Sequence, residues 1–262
     1  MTWLREVFGK NKVVIGMVNC PPMPGTPLHD EEGGKGLSFI FERVERDLLA
    51  LQEGGIDAVL FHNENDRPFV TDIGPEIVAT MTRAITQVLP MVQVPFGVDV
   101  LWNPTAAIAI AMATGGMFVR DDKGLWITNA GEFLRYRKSI CAGHVKCFFN
   151  ITAELVAHAH RELRGMARSA VSNSLADALC IHGPMAGGPP SVSDLAVVKK
   201  ALPDTVVFVN NGTRADNVAE LLVTADGAIV GSDLKVDGIT WNPADLGRVK
   251  AYMKAVNTVG GR

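Results

Sequence analysis

The chain has 262 residues, 47% hydrophobic and 20% charged, with a formal net charge of −3 and a pI near 6.1. This is the composition of a soluble globular chain, and its mild acidity leaves no basic footprint for nucleic acid or an anionic membrane. The longest apolar run, 106–113, is too short for membrane insertion, and residues 1–10 are charged and lack the apolar segment of a signal peptide. A cytoplasmic location is therefore expected, and four cysteines without CxxC pairing (Cys20, Cys141, Cys147, Cys180) suit a reducing compartment.

Residues 1–10 read as an amphipathic lead whose Trp3, Leu4, Val7 and Phe8 form a packing stripe able to plug the bottom of a barrel. A first buried strand is predicted over 13–18. The Pro- and Gly-rich stretch 19–36 that follows has the length of a lid or binding loop, placed over the mouth. Leu37, Ile40, Val44, Leu48 and Leu51 recur at helical spacing, and Gly54-Gly55 ends that helix. Strand two, 57–61, runs into His62-Asn63-Glu64, and a helix starting near Pro75 carries Ile77, Met81, Ile85 and Val88 as its stripe. Strand three covers 95–100, after which Asn103 as N-cap and Pro104 as first helical residue open the next helix. Strand four, 116–120, ends in Asp121-Asp122-Lys123-Gly124, and a helix near 130–140 precedes strand five, 145–150. A helix over 152–171 places His158 and His160 on different faces, which reads as solvated surface. Strand six, 177–181, leads into His182-Gly183-Pro184 and a loop over 185–190; Leu195, Val198 and Leu202 mark the helix after it. Strands seven (206–209) and eight (227–230) end in the turns Asn210-Asn211-Gly212-Thr213 and Gly231-Ser232-Asp233, and a helix over 243–256 closes the chain. Eight strand–helix alternations without a composition shift predict one α/β domain over 1–262, a (β/α)8 TIM barrel, a fold that typically takes about 250 residues.

In such a barrel the working groups sit at the C-terminal ends of the strands and in the loops that follow. That filter selects Glu64, Asp99, Asp121 and His182 as candidate acid–base groups, since carboxylates and imidazoles converging on one mouth can exchange protons near neutral pH. Asn19, His62, Asn63, Arg120, Asn150, Asn210 and Asn211 become candidate substrate-binding groups. The turns after strands seven and eight commonly hold a phosphate through backbone N–H groups and a helix N-terminus. This assigns Gly212, Thr213, Gly231 and Ser232 to an anion, with Lys235 as its electrostatic partner. Asp233 would repel that anion unless it turns away or pairs with Lys235 or Arg214. His62, Glu64, Asp99 and His182 also have metal-donor chemistry, but no HxxxH or HxH spacing joins them; no metal or other cofactor is expected, a divalent ion being the less favoured arrangement. The bland alternative for Arg120 is a structural ion pair with Asp121 or Asp122. No lysine ends a strand at the mouth, which disfavours a Schiff-base aldolase, and the absence of GxGxxG, P-loop and nucleophile-elbow motifs speaks against nicotinamide or ATP chemistry.

Several stretches taken together resemble the BtpA family, and within it the SgcQ-like branch: VVIGMV at 13–18, GIDAVLFHNE at 55–64, PFGVDVLW at 95–102 and ADGAIVGSDLK at 225–235. The resemblance implies a TIM barrel. It links the chain to photosystem I biogenesis through the founding members, and to sugar uptake, sugar phosphates and carbohydrate metabolism through the SgcQ-like branch. Members often read Val-Gly-Ser-Gly after strand seven, where this chain has Val209-Asn210-Asn211-Gly212. Many carry a Lys-His pair ending strand five, where this chain has Phe149-Asn150, so no lysine role is carried over there. The expected function is an isomerase, epimerase or lyase acting on a small phosphorylated sugar or related metabolite. The alternatives are a non-catalytic assembly factor and a ligand-binding barrel without catalysis. Partners follow from this: a small phosphorylated ligand, no nucleic acid, no membrane insertion, and an apolar helix face compatible with a homo-oligomer.

Overall fold

Strand residues alternate between two buried environments, and that alternation closes a ring. The computed structural model describes residues 2–121, 130–152, 162–183 and 187–260, with the backbone alone for Thr2 and Asp121. Eight parallel strands follow one another around the barrel: β1 Val13–Asn19, β2 Ala58–His62, β3 Phe96–Asp99, β4 Phe118–Asp121, β5 Lys146–Asn150, β6 Ala178–Ile181, β7 Val206–Asn210 and β8 Gly227–Val230. The ring shuts where Val13 to Gly16 of β1 pair with Gly227 to Val230 of β8. Outside it run α1 Thr2–Phe8, α2 Leu37–Glu53, α3 Pro75–Val88, α4 Pro104–Thr114, α5 Ala130–Ser139, α6 Leu163–Ser172, α7 Val192–Ala201, α8 Val218–Thr224 and α9 Leu246–Val256. The expected TIM barrel is observed. His158, His160, Asp122, Lys123, Gly124 and Pro184 lie outside the described residues. Among the described residues no helix is long and apolar enough to cross a membrane.

Because successive strand residues point to opposite faces, each strand serves two cores. Val14, Val18, Val59, Phe61, Val98, Val119, Leu179, Val207 and Val209 face the helices. Val13, Ile15, Met17, Ala58, Leu60, Phe118, Phe148, Ala178, Cys180, Val206, Phe208 and Ile229 fill the barrel interior. Three of these form a floor: Phe118 stacks on Phe148, and Phe148 on Phe208, both with ring centroids 5.0 Å apart. Gly97 makes room for that floor, since a Cβ there would lie 2.4 Å from the Phe118 ring. Helix α1 closes the N-terminal end, with Phe8 edge-on to Phe118 at 5.6 Å and Trp3 6.0 Å from Phe148.

Three aspartates that precede strands stitch that same end. Asp57 accepts from Val14 N–H at 2.8 Å, Asp177 from Cys147 N–H at 2.9 Å and Asp226 from Val207 N–H at 2.9 Å. Each bond joins the entry of a strand to its neighbour, so the repeated Asp-Ala and Asp-Gly entries are register pins. These bonds lie at the end of the barrel opposite the mouth and serve stability.

Of the stretch 19–36, expected as a long loop over the mouth, Asn19 lines the cavity described below. The stretch is bound to the loop after β2: Asp66 accepts from Met23 N–H at 2.8 Å and Asn65 donates to the Cys20 carbonyl at 2.7 Å. Satisfying these buried groups fixes one loop to the other.

Lys235, expected beside an anion, is fully buried and bonds the Asp47 carboxylate at 2.8 Å and the Met17 carbonyl at 2.9 Å. Burial lowers its pKa, an effect that the Asp47 charge opposes. Asp47 also accepts from Ala244 N–H at 2.9 Å and Arg43 Nε at 3.2 Å, which ties α2 to the segment after β8. Removing one member of such a pair strands the other in the core. Asp47→Ala is expected to cost about 3–5 kcal/mol in urea unfolding, and Asp47→Leu combined with Lys235→Met to cost less than Asp47→Ala. A double variant as unstable as the single one would show that the pair's geometry, and not the stranded charge, sets the loss.

Candidate active site

The inward column that is apolar low in the barrel turns polar at the top. Continuing each strand's alternation upward brings Asn19, His62, Asp99, Arg120, Asn150, His182 and Asn210 inward, each of them buried. Register supports the layer, with Asn19 opposite His62 and His62 opposite Asp99.

Arg120 is the hub. Its Nη2 lies 2.7 Å from Asp99 Oδ2, and its Nη1 donates to Asn210 Oδ1 at 3.0 Å. Arg120 points into the barrel and meets Asp99 on the adjacent strand β3; the side chains of Asp121 and Asp122, the partners expected from its own strand end, lie outside the described residues. Fixing Asn210 Oδ1 turns its Nδ2 toward Asn150 Oδ1 at 3.1 Å and His182 Nε2 at 2.8 Å. His182 Nε2 also lies 2.8 Å from Asn150 Oδ1. This nitrogen therefore has an acceptor on one side and a donor on the other. Protonated, it donates to Asn150; deprotonated, it accepts from Asn210.

His62 is fully buried between two carboxylates, with Nε2 3.1 Å from Asp99 Oδ2 and Nδ1 3.1 Å from Glu64 Oε2. Burial acts to lower its pKa, but the charge and hydrogen bond of Asp99, then those of Glu64, prevail and raise it to about 9. The two carboxylates thus favour the imidazolium form, against the Arg120 guanidinium whose Nη2 stands 3.3 Å from Nε2. Its Nδ1 stands at ion-pair distance from the Glu64 carboxylate, whose side chain is 26% exposed. His62 consequently orients Glu64 and does not itself reach the cavity.

A cavity of about 500 Å³ lies above this layer. Of the expected residues, Asn19, Glu64, Arg120, His182, Asn211, Gly212, Thr213, Gly231 and Ser232 line it. His62, Asn63, Asp99, Asn150, Asn210 and Lys235 do not. The first five of these lie in the layer beneath or beside the cavity: Asn63, for one, accepts from Leu101 N–H at 2.8 Å and donates to Asp66 at 3.1 Å, holding the loop after β3 to that after β2. The Asp121 side chain lies outside the described residues. Among the described residues no three His, Cys, Asp or Glu side chains are grouped to hold a metal ion, and the Arg120 guanidinium occupies Asp99 Oδ2.

The turns after β7 and β8 both reach the cavity. Asn211 and Gly212 adopt positive φ of 69° and 68°. A side chain at Gly212 would also strike the Gly188–Pro189 backbone, its Cβ lying 2.2 Å from Pro189 N, so only glycine fits. Among the described residues, the N–H groups of Gly212, Thr213, Gly231 and Ser232 donate to no protein acceptor. A helix or helical turn follows each of these turns, as expected: β8 runs into a 3-10 turn, Ser232–Leu234, and β7 is followed by α8, which begins only at Val218 and spans 7 residues. Any anion here would rest on the turn amides. Asp233 does turn away, but onto other partners than expected. It accepts from Ala215 N–H at 3.0 Å and pairs with Arg248 at 2.9 Å. Arg214 and Arg248 line the cavity and carry the positive charge that Lys235 does not supply.

Selecting strand ends missed Phe69, Trp102, Thr240, Trp241 and Arg248 on the cavity wall. Trp102 lies three residues past β3, and a Trp in the loop that follows a strand end was the available signal. Arg248 belongs to α9, whose approach to the mouth only the packing reveals.

A family model described as the BtpA family matches residues 10–258. The chain is 40% identical to the putative sgc region protein SgcQ of Escherichia coli, over 99% of each chain. It is 32% identical to the photosystem I biogenesis protein BtpA of Synechocystis sp., over 97% of this chain and 91% of that one. Among solved structures, (S)-3-O-geranylgeranylglyceryl phosphate synthase from Thermoplasma acidophilum in complex with sn-glycerol-1-phosphate superposes with a TM-score of 0.62 at 13% identity, covering 98% of this chain and 97% of that one. Phosphoribosyl anthranilate isomerase from Thermococcus kodakaraensis does so with a TM-score of 0.54 at 13% identity, covering 94% and 98%. At those identities the superpositions establish a shared TIM-barrel fold.

The His62 assignment has a pH signature. A folded pKa of about 9 against an unfolded 6.5 means that its ion pairs stabilise the fold fully below pH 6.5, and that this contribution disappears as pH rises through about 9. The contribution is on the order of 3 kcal/mol. Urea unfolding of wild type and His62→Gln should show a stability gap that closes across that window. A gap constant with pH would mean that His62 is neutral throughout.

Proposed function

The chain belongs to the BtpA family, and from that premise we propose that it is an enzyme performing proton-transfer chemistry, as an isomerase, epimerase or lyase, on a small phosphorylated sugar or related metabolite. The observation that carries this reading is the composition of one cavity wall. Glu64, Arg120 and His182 lie on it together with Gly212, Thr213, Gly231 and Ser232, whose N–H groups donate to no acceptor among the described residues. The turn amides of Gly212, Thr213, Gly231 and Ser232 suit the phosphate, with Arg214 and Arg248 adding charge. Binding the unreactive phosphate would position the reacting carbon, which is how remote binding energy lowers a barrier elsewhere.

Arg120 would face the oxygen that gains negative charge when a proton leaves the adjacent carbon. Its own bonds to Asp99 and Asn210 hold it ready, so little reorganisation accompanies the step. Glu64, oriented by the His62 imidazolium, and His182, partnered in either protonation state, would act as the proton-exchanging pair. Fold neighbours named for phosphorylated ligands, among them the synthase bound to sn-glycerol-1-phosphate, supply a precedent for this use of the architecture.

In a thermal-shift screen, sugar phosphates should raise the melting temperature of the wild type, since a ligand bound only by the native state stabilises it. Gly231→Val should abolish that shift. A Cβ at Gly231 meets only the Met17 side chain within 3.4 Å, its sulfur at 3.2 Å, so the variant is expected to fold. An undiminished shift in folded Gly231→Val would remove the phosphate from this turn. Once turnover is found, Glu64→Gln and His182→Asn should each lower kcat by roughly 10²–10⁴-fold. Full activity in both would sink the acid–base assignment.

A further inference from the structure

Asn19 ends β1 on the cavity wall, only 2% exposed. One bond decides which way its amide faces: Nδ2 donates to the Thr240 carbonyl at 3.2 Å, leaving Oδ1 on the other side. Among the described residues that buried oxygen has no hydrogen-bond partner. Stripping an amide oxygen of water without replacing the bond is costly, and folded proteins rarely tolerate it. The Nδ2 bond already fastens Asn19 to the fold, so the bare oxygen adds nothing to stability.

The segment that orients Asn19 continues directly into an aromatic wall. Trp241 follows Thr240, lines the cavity and carries the Arg67 guanidinium 3.5 Å from its ring centroid. Across the mouth, Trp102 packs edge-on against Phe69 at 5.4 Å, and both line the same space. A bare phosphate needs neither the volume of about 500 Å³ nor two indoles. Flat aromatic faces match the C–H face of a sugar ring, while polar groups at the edge choose its hydroxyls.

We propose that Asn19 Oδ1 accepts a hydrogen bond from a substrate hydroxyl while Trp102 and Trp241 cover the apolar face of its ring, which makes the site selective for a hydroxylated cyclic sugar phosphate. The proposal rests on the phosphorylated-sugar reading above and narrows it. An acceptor-only atom recognises O–H or N–H donors and turns away keto, carboxylate or second phosphate groups at the same position. Sites built to bond a hydroxyl reject the analogue that lacks it far more strongly than apolar pockets reject size changes.

Calorimetry on the full chain tests this with ribose 5-phosphate, glucose 6-phosphate, the free sugars, inorganic phosphate and a series of deoxy analogues of the tightest sugar phosphate. In Asn19→Ala that sugar phosphate should bind about tenfold or more weakly, while inorganic phosphate keeps its affinity and reports an intact site. In the wild type, one deoxy analogue should show the same loss, and that analogue should lose nothing further in Asn19→Ala. The wild-type series stands on its own if the variant does not fold. Equal sugar-phosphate affinity in both proteins, or a deoxy series without any loss, overturns the role of Asn19 and leaves the phosphate reading in place. Free sugars binding as tightly as their phosphates, with the Asn19 dependence retained, would sink the phosphate reading and leave Asn19 standing. Failure of every sugar to bind, phosphorylated or free, overturns both.

Discussion

A guanidinium held 4% exposed at the centre of a barrel is tolerable only when acceptors surround it. Arg120 meets that demand with Asp99 from β3 and Asn210 from β7, groups that come from opposite sides of the ring. Each of these then binds further. Asp99 also holds His62 from β2, and Asn210 reaches Asn150 of β5 and His182 after β6. One buried charge thus sets the orientation of polar side chains on most of the strands. Such a layer cannot lose a member cheaply, because every loss leaves another buried group without a partner.

The layer also separates two demands that would otherwise compete. Below it, the Phe118, Phe148 and Phe208 stack keeps the interior dry and gives the charged groups a rigid base. Above it, the wall is made from loops that need freedom to accept a ligand. The segment after β8 is anchored by the Lys235–Asp47 pair at one end of its course and presents Thr240 and Trp241 to the cavity at the other. A buried ion pair is weak evidence for stability on its own, but here it positions a binding segment. The carboxylate that would have opposed an anion at Asp233 is withdrawn by Arg248 and the Ala215 amide, which leaves the turn amides of Gly231 and Ser232 unobstructed by it.

Chemistry at the mouth follows from how differently the two histidines are housed. His62 sits between carboxylates and is kept charged, a positioning group for Glu64. His182 sits between amides, which are neutral and can serve either protonation state. Identical side chains acquire different surroundings, His62 from Glu64 two residues on and Asp99 on the next strand, His182 from Asn150 and Asn210 on the strands to either side.

The sequence by itself determined the barrel and the height of the site. Short β-branched runs, capped helices and the even spacing of strand ends are local properties, and strand alternation carries Asn19, His62, Asp99, Arg120, Asn150, His182 and Asn210 inward wherever the ring closes. Only the tertiary structure decided who meets whom. Arg120 met Asp99 on the adjacent strand and Asn210 across the ring, Lys235 went beneath the mouth to Asp47, Asp233 went to Arg248, and Trp102, Trp241 and Arg248 came to the wall from loops and a helix. The reason is physical: local propensity acts over a few residues, whereas a charge removed from water takes the best counter-charge within reach in space, and the closure of the ring sets that reach.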